Sequence, residues 1–145
     1  MAHFSEISKI RIANLHPDLQ RVLYKAIEVT DFAVLDGLRN ELNQTKAIIE
    51  KRSKVAYPKS RHNRSKCDDG TYDYTVSDAV DIAPWPIKWP DIRKQTAKEY
   101  VKRMGEFYRL AGVILAIAHI ENVKLRWGGT FKNFFDGPHF ERITE

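Results

Sequence analysis

The chain has 145 residues, 43% of them hydrophobic and 30% charged, and its formal net charge is +5. These proportions predict a soluble, folded protein rather than a disordered one, and the length suits one domain over residues 1–145. The single cysteine, Cys67, excludes an internal disulfide and a multi-cysteine zinc site. No apolar run is long enough to cross a bilayer and the N-terminus shows no signal-peptide pattern, so we expect no membrane insertion. The positive charge favours an anionic partner, such as nucleic acid, a membrane surface or a cell-wall polymer.

The first part of the sequence predicts two helices with a strand between them. Asn14 is a candidate N-cap for a helix that has Pro17 in its first turn and apolar residues at helical spacing. The apolar run at residues 32–35 predicts a buried strand that stops at a tight turn. Residues 41–54 predict the second helix. The predicted inner side of this helix consists of Leu42, Ala47, Ile48 and Ile49.

The second part predicts short strands around one long helix. Residues 55–77 show no hydrophobic period and predict a loop, whereas the alternation at residues 79–83 predicts a strand. Residues 92–121 predict the longest helix, and residues 124–127 and 139–143 predict the last two strands. Because the strands lack regular crossover helices, we expect an α+β fold with a small, mostly antiparallel sheet and flanking helices.

Two histidines and two aspartates are candidates for a hydrolytic metal site. Two imidazoles and one carboxylate, from His62, Asp81 and His139, can hold a zinc ion and leave its fourth position open to water. Asp136 lies three positions before His139, close enough in the chain to act on that water as a base. However, Asp81 could instead pair with a neighbouring Arg or Lys, and a lone histidine is more often exposed or satisfied than a ligand. Spacing alone leaves both interpretations open.

Four motifs in a fixed order make the sequence resemble a known peptidase family. They are Ser60-Arg61-His62 and the segments 78–84, 125–129 and 136–141, within a match that runs from about residue 35 to residue 143. Together they resemble the D-Ala-D-Ala carboxypeptidase/VanY-type zinc peptidases, and among these the phage endolysins that act as L-alanyl-D-glutamate endopeptidases. The resemblance implies the hedgehog/D-Ala-D-Ala-peptidase fold. It also implies a zinc-dependent hydrolase that uses a metal-activated water to cleave the L-Ala–D-Glu bond of the peptidoglycan stem peptide.

The resemblance further implies which residues act in this reaction. His62, Asp81 and His139 would bind Zn²⁺, and Asp136 would be the catalytic base. Arg39, which follows the first predicted strand, would contact the substrate and stabilise the charge that develops on the attacked carbonyl. A guanidinium suits that role because it is planar and always charged. The substrate-binding positions that line the same site correspond to Ser60 and Gln44.

One segment departs from the family pattern. The family joins its first histidine and its aspartate by a short link that contains glycine, whereas residues 63–76 form an insertion here and Ser77 stands at the glycine position. We expect the insertion to form a rim that tunes substrate choice, so that its deletion changes turnover but not zinc content. A tolerated surface insertion is the alternative. The inserted residues expected beside the site are Arg64, Lys66, Asp68, Asp69, Tyr72, Asp73 and Tyr74.

These interpretations predict a phage endolysin with antimicrobial activity, whose partner is the peptidoglycan stem peptide. We expect a monomer that stays in the host cytoplasm until it is released to the cell wall or periplasm at lysis. We expect no nucleic-acid partner, because the sequence shows no recognised binding motif. Two alternatives remain open at this point: a D-Ala-D-Ala carboxypeptidase, and a non-catalytic cell-wall-binding protein of the same fold. The presence of Asp136 argues against the second, because a binding protein needs no base.

Overall fold

The computed structural model describes residues 1–144. The helices are α1 (Glu6–Ala13), α2 (Pro17–Ala26), α3 (Glu41–Ile49) and α4 (Ala97–Ile120). The strands are β1 (Phe32–Asp36), β2 (Ser65–Lys66), β3 (Tyr72–Asp73), β4 (Ala79–Pro84), β5 (Leu125–Trp127) and β6 (His139–Arg142). A 3₁₀ turn, Gly128–Thr130, follows β5. The predicted α+β class with a small antiparallel sheet and flanking helices is confirmed.

The main sheet has the strand order β1-β4-β6-β5, and each neighbouring pair is antiparallel. The central strand β4 is buried along almost its whole length, and Asp81 is its one half-buried residue. The register places Asp81 opposite Asp36 of β1 on one side and opposite His139 of β6 on the other. Directly opposed residues in an antiparallel pair have Cβ atoms about 4.5–5.5 Å apart. The sheet itself therefore brings Asp81 and His139 together.

The hydrophobic core lies between the sheet and helices α1, α2 and α4. Helix α2 buries Leu19, Val22, Leu23 and Ala26, the i, i+3, i+4, i+7 pattern of an amphipathic helix. Helix α4 contributes Ile114, whose side chain is fully buried. Truncating such a residue to alanine typically costs about 2–5 kcal/mol of unfolding free energy, so the helix–sheet contact is a large part of the fold's stability. No helix within residues 1–144 has the length and apolar character needed to span a membrane.

The N-terminal region differs from the sequence prediction. Helix α1 was not predicted, because only Ser8 and Ile12 of its eight residues are buried and no regular apolar pattern results. Asn14 ends α1 as its C-cap instead of starting the next helix. The N-cap of α2 is His16, whose Nδ1 accepts a hydrogen bond from the backbone N–H of Asp18 at 3.1 Å. The predicted Asn14 cap is therefore wrong.

Helix α3 is shorter than predicted, and its inner side is different. It ends at Ile49 rather than near residue 54, and Lys51 then adopts a positive φ of 59° that leaves the helical path. Only Gln44 and Ala47 of this helix are buried. The predicted inner residues that are in fact exposed are Leu42, Ile48 and Ile49. The helix covers a polar site rather than the main core, which is why an apolar pattern misplaced its inner side.

The structure differs from the sequence prediction at two further points. The long helix α4 begins at Ala97 rather than near residue 92, because Thr96 and Glu99 form a reciprocal capping box. The segment predicted as a loop contains the antiparallel hairpin β2–β3, which we call the inserted hairpin. Its two-residue strands are too short to produce a visible alternation in the sequence. The strands predicted at residues 32–35, 79–83, 124–127 and 139–143 are confirmed with boundary shifts of one residue.

Candidate active site

Three predicted ligands meet at one point of the structure. The distance from His62 Nε2 to Asp81 Oδ1 is 3.3 Å, that from His139 Nδ1 to Asp81 Oδ1 is 3.1 Å, and that between the two imidazole nitrogens is 3.3 Å. Donor atoms around a tetrahedral ion with bonds of about 2.0–2.1 Å lie about 3.3 Å apart. The three atoms therefore have the spacing of one face of a tetrahedral metal site. They form a possible metal centre.

The backbone orients the His62 imidazole. Its Nδ1 lies 2.7 Å from the carbonyl oxygen of Gly37, and the residue is 2% exposed. A carbonyl only accepts hydrogen bonds, so Nδ1 carries the proton and Nε2 presents its lone pair. The hydroxyl of Ser60 accepts from the backbone N–H of His62 at 3.2 Å and holds the loop in place. His62 is thus oriented so that its Nε2 can bind a metal ion.

Glu141 orients the second imidazole, a role that the sequence did not predict. The Nε2 of His139 lies 2.9 Å from Glu141 Oε1, and a carboxylate also only accepts. The other oxygen of Glu141 pairs with Arg61 Nε and with a guanidinium nitrogen of Arg126, each at 2.7 Å. The available signal was the spacing His139-x-Glu141 in an alternating strand, since such residues lie on the same face of a sheet.

Arg39 holds the second oxygen of the central carboxylate. One of its terminal nitrogens donates to Asp81 Oδ2 at 3.2 Å, and its Nε pairs with Asp36. Burial by itself would raise the pKa of Asp81, but the electrostatic interaction with His62 and the hydrogen bond with His139 outweigh burial and hold that pKa well below its usual range. Asp81 is therefore ionised, with Oδ1 directed at the two imidazoles and Oδ2 at Arg39.

Two carboxylates, those of Asp81 and Glu141, form hydrogen bonds with the His139 imidazole. Burial by itself lowers the pKa of His139, but the hydrogen bonds with Asp81 and Glu141 raise it to about 9. Burial likewise acts to raise the pKa of Glu141, yet its hydrogen bonds with His139 and Arg126 lower it to about 2. Two ionised carboxylates thus flank one imidazole. A site of this kind favours a cation.

Gln44 lies behind the site and Ser60 lies at its edge. The Gln44 side chain has no exposed surface, and its Oε1 accepts from Arg39 at 3.3 Å and from Asn63 at 3.2 Å. Its Nε2 donates to the Ser53 hydroxyl at 2.9 Å, so the amide is fully engaged. Gln44 therefore braces Arg39 from the protein interior, whereas Ser60 lines the cavity in front of the metal centre.

Asp136 shares a cavity of about 920 Å³ with the three donor residues. Its backbone N–H donates to the carbonyl of Gly128 at 3.1 Å, and its own carbonyl accepts from the backbone N–H of His139 at 3.2 Å. A Cβ atom at Gly128 would lie 2.3 Å from the Asp136 carbonyl oxygen, so this close approach requires glycine. Burial and the charge of Asp81 raise the pKa of the Asp136 carboxyl.

The rest of this cavity has two kinds of wall. An aromatic wall consists of Trp89, Phe131, Phe134 and Phe135, and a basic wall includes Lys51, Arg52, Lys54 and Lys59. The predicted catalytic, metal-binding and substrate-binding residues all line this cavity except Gln44, whereas none of the inserted residues 63–76 does. The structure therefore provides a cavity that brings together His62, Asp81, Asp136 and His139 and that is also lined by cationic and aromatic side chains.

Nearly the whole chain matches a known peptidase family. The family described as phage L-alanyl-D-glutamate peptidase matches residues 1–143. The chain belongs to this family. It is therefore a peptidase that acts on the bond between L-Ala and D-Glu, as predicted, and membership argues against the carboxypeptidase and the non-catalytic alternatives.

A solved structure supports the fold of this peptidase. The L-Ala D-Glu endopeptidase ChiX of Serratia marcescens superposes with a TM-score of 0.70 at 23% sequence identity, over 97% of this chain and 90% of that chain. At this identity the likeness concerns the fold, and it confirms the predicted peptidase-like architecture. The comparison with curated proteins finds no match.

Proposed function

We propose that this peptidase is a zinc-dependent phage endolysin that cleaves the L-Ala–D-Glu bond of the peptidoglycan stem peptide. The observation that carries the proposal is the triangle of donor atoms from His62, Asp81 and His139, with sides of 3.1–3.3 Å. Each donor is oriented from behind, by the Gly37 carbonyl, by Arg39 and by Glu141 respectively. Partners of this kind fix the tautomer and direction of metal ligands.

The donor chemistry favours zinc over the hard cations. Mg²⁺ and Ca²⁺ take oxygen ligands almost exclusively, whereas two imidazoles and one carboxylate are a typical catalytic zinc set with one position left open. A zinc ion bound there would supply a Lewis acid that lowers the pKa of water to about 7. His62, Asp81 and His139 would hold that ion through Nε2, Oδ1 and Nδ1.

We propose that the Asp136 carboxylate is the general base. In that role it takes a proton from the attacking water and delivers it to the amine of the leaving D-Glu fragment. Its pKa is raised by burial and by the charge of Asp81, which brings the carboxyl nearer to the pH at which it must both accept and release a proton. The glycine at position 128 lets the turn that carries Asp136 approach the metal ligands.

We propose two roles for Arg39. Three of its five N–H groups are used by Asp36, Asp81 and Gln44, and they keep the Asp81 carboxylate turned toward the metal centre. The remaining N–H groups and the fixed charge stabilise the negative charge that develops on the attacked carbonyl. Gln44 supports Arg39 from behind, and Ser60 contacts the substrate from the cavity wall.

We further propose that the peptidase lyses the host of the phage. In this proposal it stays in the host cytoplasm as a monomer until lysis and then reaches the wall, where its antimicrobial effect arises. The family's phage origin and the net charge of +5, which suits an anionic envelope, support this sequence of events.

The test is digestion of purified peptidoglycan followed by mass spectrometry of the released peptides. With zinc-loaded protein we expect new peptides that begin at D-Glu. A chelator should abolish their release, and added zinc should restore it. Release that continues at full rate in the chelator would refute the metal, whereas no release by the zinc-loaded protein would refute peptidoglycan as the substrate.

A further inference from the structure

A second cavity, of about 240 Å³, adjoins the active-site cavity. The two cavities share Lys59, Ser60 and Arg61 as a common wall. Three further lining residues of the second cavity belong to the insertion: Arg64, Lys66 and Tyr72. Any substrate that extends along the active-site cavity past Ser60 therefore reaches a surface that the insertion builds. We call this second cavity the anion cavity, for the reasons that follow.

Positive charge dominates the anion cavity. Lys59, Arg61, Arg64 and Lys66 line it, against one carboxylate, that of Asp78. This carboxylate is buried and already satisfied. Its Oδ1 accepts from Ser65 at 2.8 Å and from Arg142 at 3.0 Å, and its Oδ2 accepts from a backbone N–H at 3.0 Å.

The lysines and Arg64 of this cavity have no carboxylate partner among residues 1–144. Within residues 1–144, Lys59, Arg64 and Lys66 form no ion pair with any carboxylate. Asp78 is directed at Ser65 and Arg142 and forms no ion pair with these three side chains. The cavity is therefore suited to an anion from outside the chain.

The two guanidinium groups in the anion cavity are held in place. The Arg64 guanidinium lies 3.5 Å from the centre of the Tyr72 ring, and its Nη1 donates to the Tyr74 hydroxyl at 3.3 Å. Arg61 pairs with Glu141 at 2.7 Å and donates to the carbonyl of Arg142 at 2.8 Å. Fixed guanidinium groups lose little conformational entropy when they bind a planar anion such as a carboxylate.

Arg61 connects this cavity to the metal centre. Its Nε holds the Glu141 oxygen opposite the one that orients His139. The cationic surface thus begins one residue before the metal ligand His62 and continues away from it into the inserted hairpin. The metal centre and the anion cavity are therefore neighbours that share Arg61.

We propose that the anion cavity binds a carboxylate of the substrate peptide on the D-Glu side of the scissile bond. This inference rests on the proposed function and specifies its substrate. Glutamate has two carboxyl groups, of which only one can continue the peptide, so a D-Glu residue keeps a free carboxylate, whereas the L-Ala side chain is a neutral methyl group. A second source of the same chemistry is the third residue of the peptide, when that residue carries a carboxylate of its own.

The test compares four synthetic peptides L-Ala–D-Glu–X with amidated C-termini. The free carboxyl of D-Glu is either ionised or converted to an amide, and X is either lysine or diaminopimelate, which adds a carboxylate. We expect the zinc-loaded peptidase to lose about tenfold in kcat/KM when the carboxylate that it binds is removed, as is typical for a charged hydrogen bond. The change in the peptide that lowers kcat/KM identifies which carboxylate the cavity binds, that of D-Glu or that of residue X.

Variants of the cavity separate its role from a structural one. The double variant Arg64→Gln/Lys66→Gln should lose about tenfold on the carboxylate peptide through a raised KM, and should keep its activity on the amidated peptide. The matched control is Lys98→Gln, a helix α4 residue that lines neither cavity, which should retain the wild-type preference. Retained activity on the amidated peptide also shows that the variant is folded.

Calorimetric binding of the product D-Glu–X gives a readout without turnover. The wild-type protein should bind the carboxylate product more tightly than the amidated one, and the double variant should bind both alike. Two results would overturn the proposal that the anion cavity binds a substrate carboxylate, while leaving the proposed function intact. One is equal cleavage of all four peptides by the wild-type protein, and the other is an equal loss of kcat/KM on all four by the double variant. No cleavage of any peptide by the zinc-loaded protein would refute the proposed function, and this inference with it.

Discussion

The imidazole Nε2 of His139 and the Oε1 of Glu141 lie 2.9 Å apart on one face of β6. Two arginines hold the other oxygen of Glu141, and its hydrogen bonds with His139 and Arg126 outweigh burial and lower the pKa of the carboxyl to about 2. Glu141 is therefore a permanent acceptor near neutral pH. It decides which nitrogen of His139 faces the metal centre, and so it connects Arg61 and Arg126 to this candidate ligand.

Replacing Glu141 should weaken metal binding without removing a ligand. In Glu141→Gln the acceptor for His139 is weaker, and Arg61 and Arg126 lose their carboxylate partner. We expect zinc affinity to fall by about 10–100-fold, the usual effect of losing such a partner, measured by competition with a chromogenic chelator. The control Glu121→Gln alters an ion pair with Arg21 and Lys25 on the helices and should leave affinity unchanged. Unchanged affinity in Glu141→Gln would contradict this role.

Removing a ligand should remove the metal and its stabilisation together. We expect His139→Ala to be isolated without zinc, as measured by elemental mass spectrometry. Because the metal would tie β6 to β4 and to the His62 loop, a chelator should lower the melting temperature of the wild-type protein but not that of the variant. His119→Ala is the control, since His119 is exposed on α4 and lines neither cavity. A zinc-loaded His139→Ala protein would show that the ligand set is wrong.

Asp136 should be needed for turnover and not for the metal. We expect Asp136→Asn to keep its zinc and its melting temperature while kcat falls by about 10²–10⁴-fold, the range for loss of a general base. Peptide hydrolysis followed by chromatography measures the rate. Asp31→Asn, on an exposed residue outside both cavities, should behave as wild type. An active Asp136→Asn enzyme would exclude this carboxylate from the mechanism.

Gly128 should be a positioning residue for the turn that carries Asp136 and His139. A Cβ atom there would lie 2.3 Å from the Asp136 carbonyl oxygen and 3.1 Å from the His139 Cβ, so Gly128→Ala must displace this turn. We expect a cost of about 1–3 kcal/mol in unfolding free energy, as for overpacking, and a loss of turnover.

The helix α4 offers a matched control for this change. A Cβ atom at Gly112 meets nothing within 4 Å, so Gly112→Ala should be accommodated without strain. Alanine is the better helix former, and we expect a gain of about 0.5–1 kcal/mol with unchanged turnover. Urea unfolding gives both values. If Gly128→Ala were as active and stable as wild type, the turn would not depend on glycine.

Local patterns predicted those parts of the fold that depend on neighbouring residues. The strands β1, β4 and β5 follow from short apolar or alternating runs that end at glycine or proline, and β6 follows from an alternating run; all four are confirmed. Helix α1 was missed because only two of its side chains are buried. The inner side of α3 was misplaced because the helix buries the polar Gln44 against Arg39, and a search for apolar periodicity does not detect such a contact.

The sequence by itself indicated the α+β class through local strand signals, and the order of its motifs, by resemblance to a peptidase family, named the three candidate metal ligands. Only the tertiary structure decided how those donors meet. His62 and His139 are 77 positions apart, and Asp81 and His139 are 58 apart, so their contacts depend on sheet register and loop packing that no local pattern encodes. The same holds for the support of His139 by Glu141 and for the anion cavity, which exist because folding places distant charges within a few ångströms of one another.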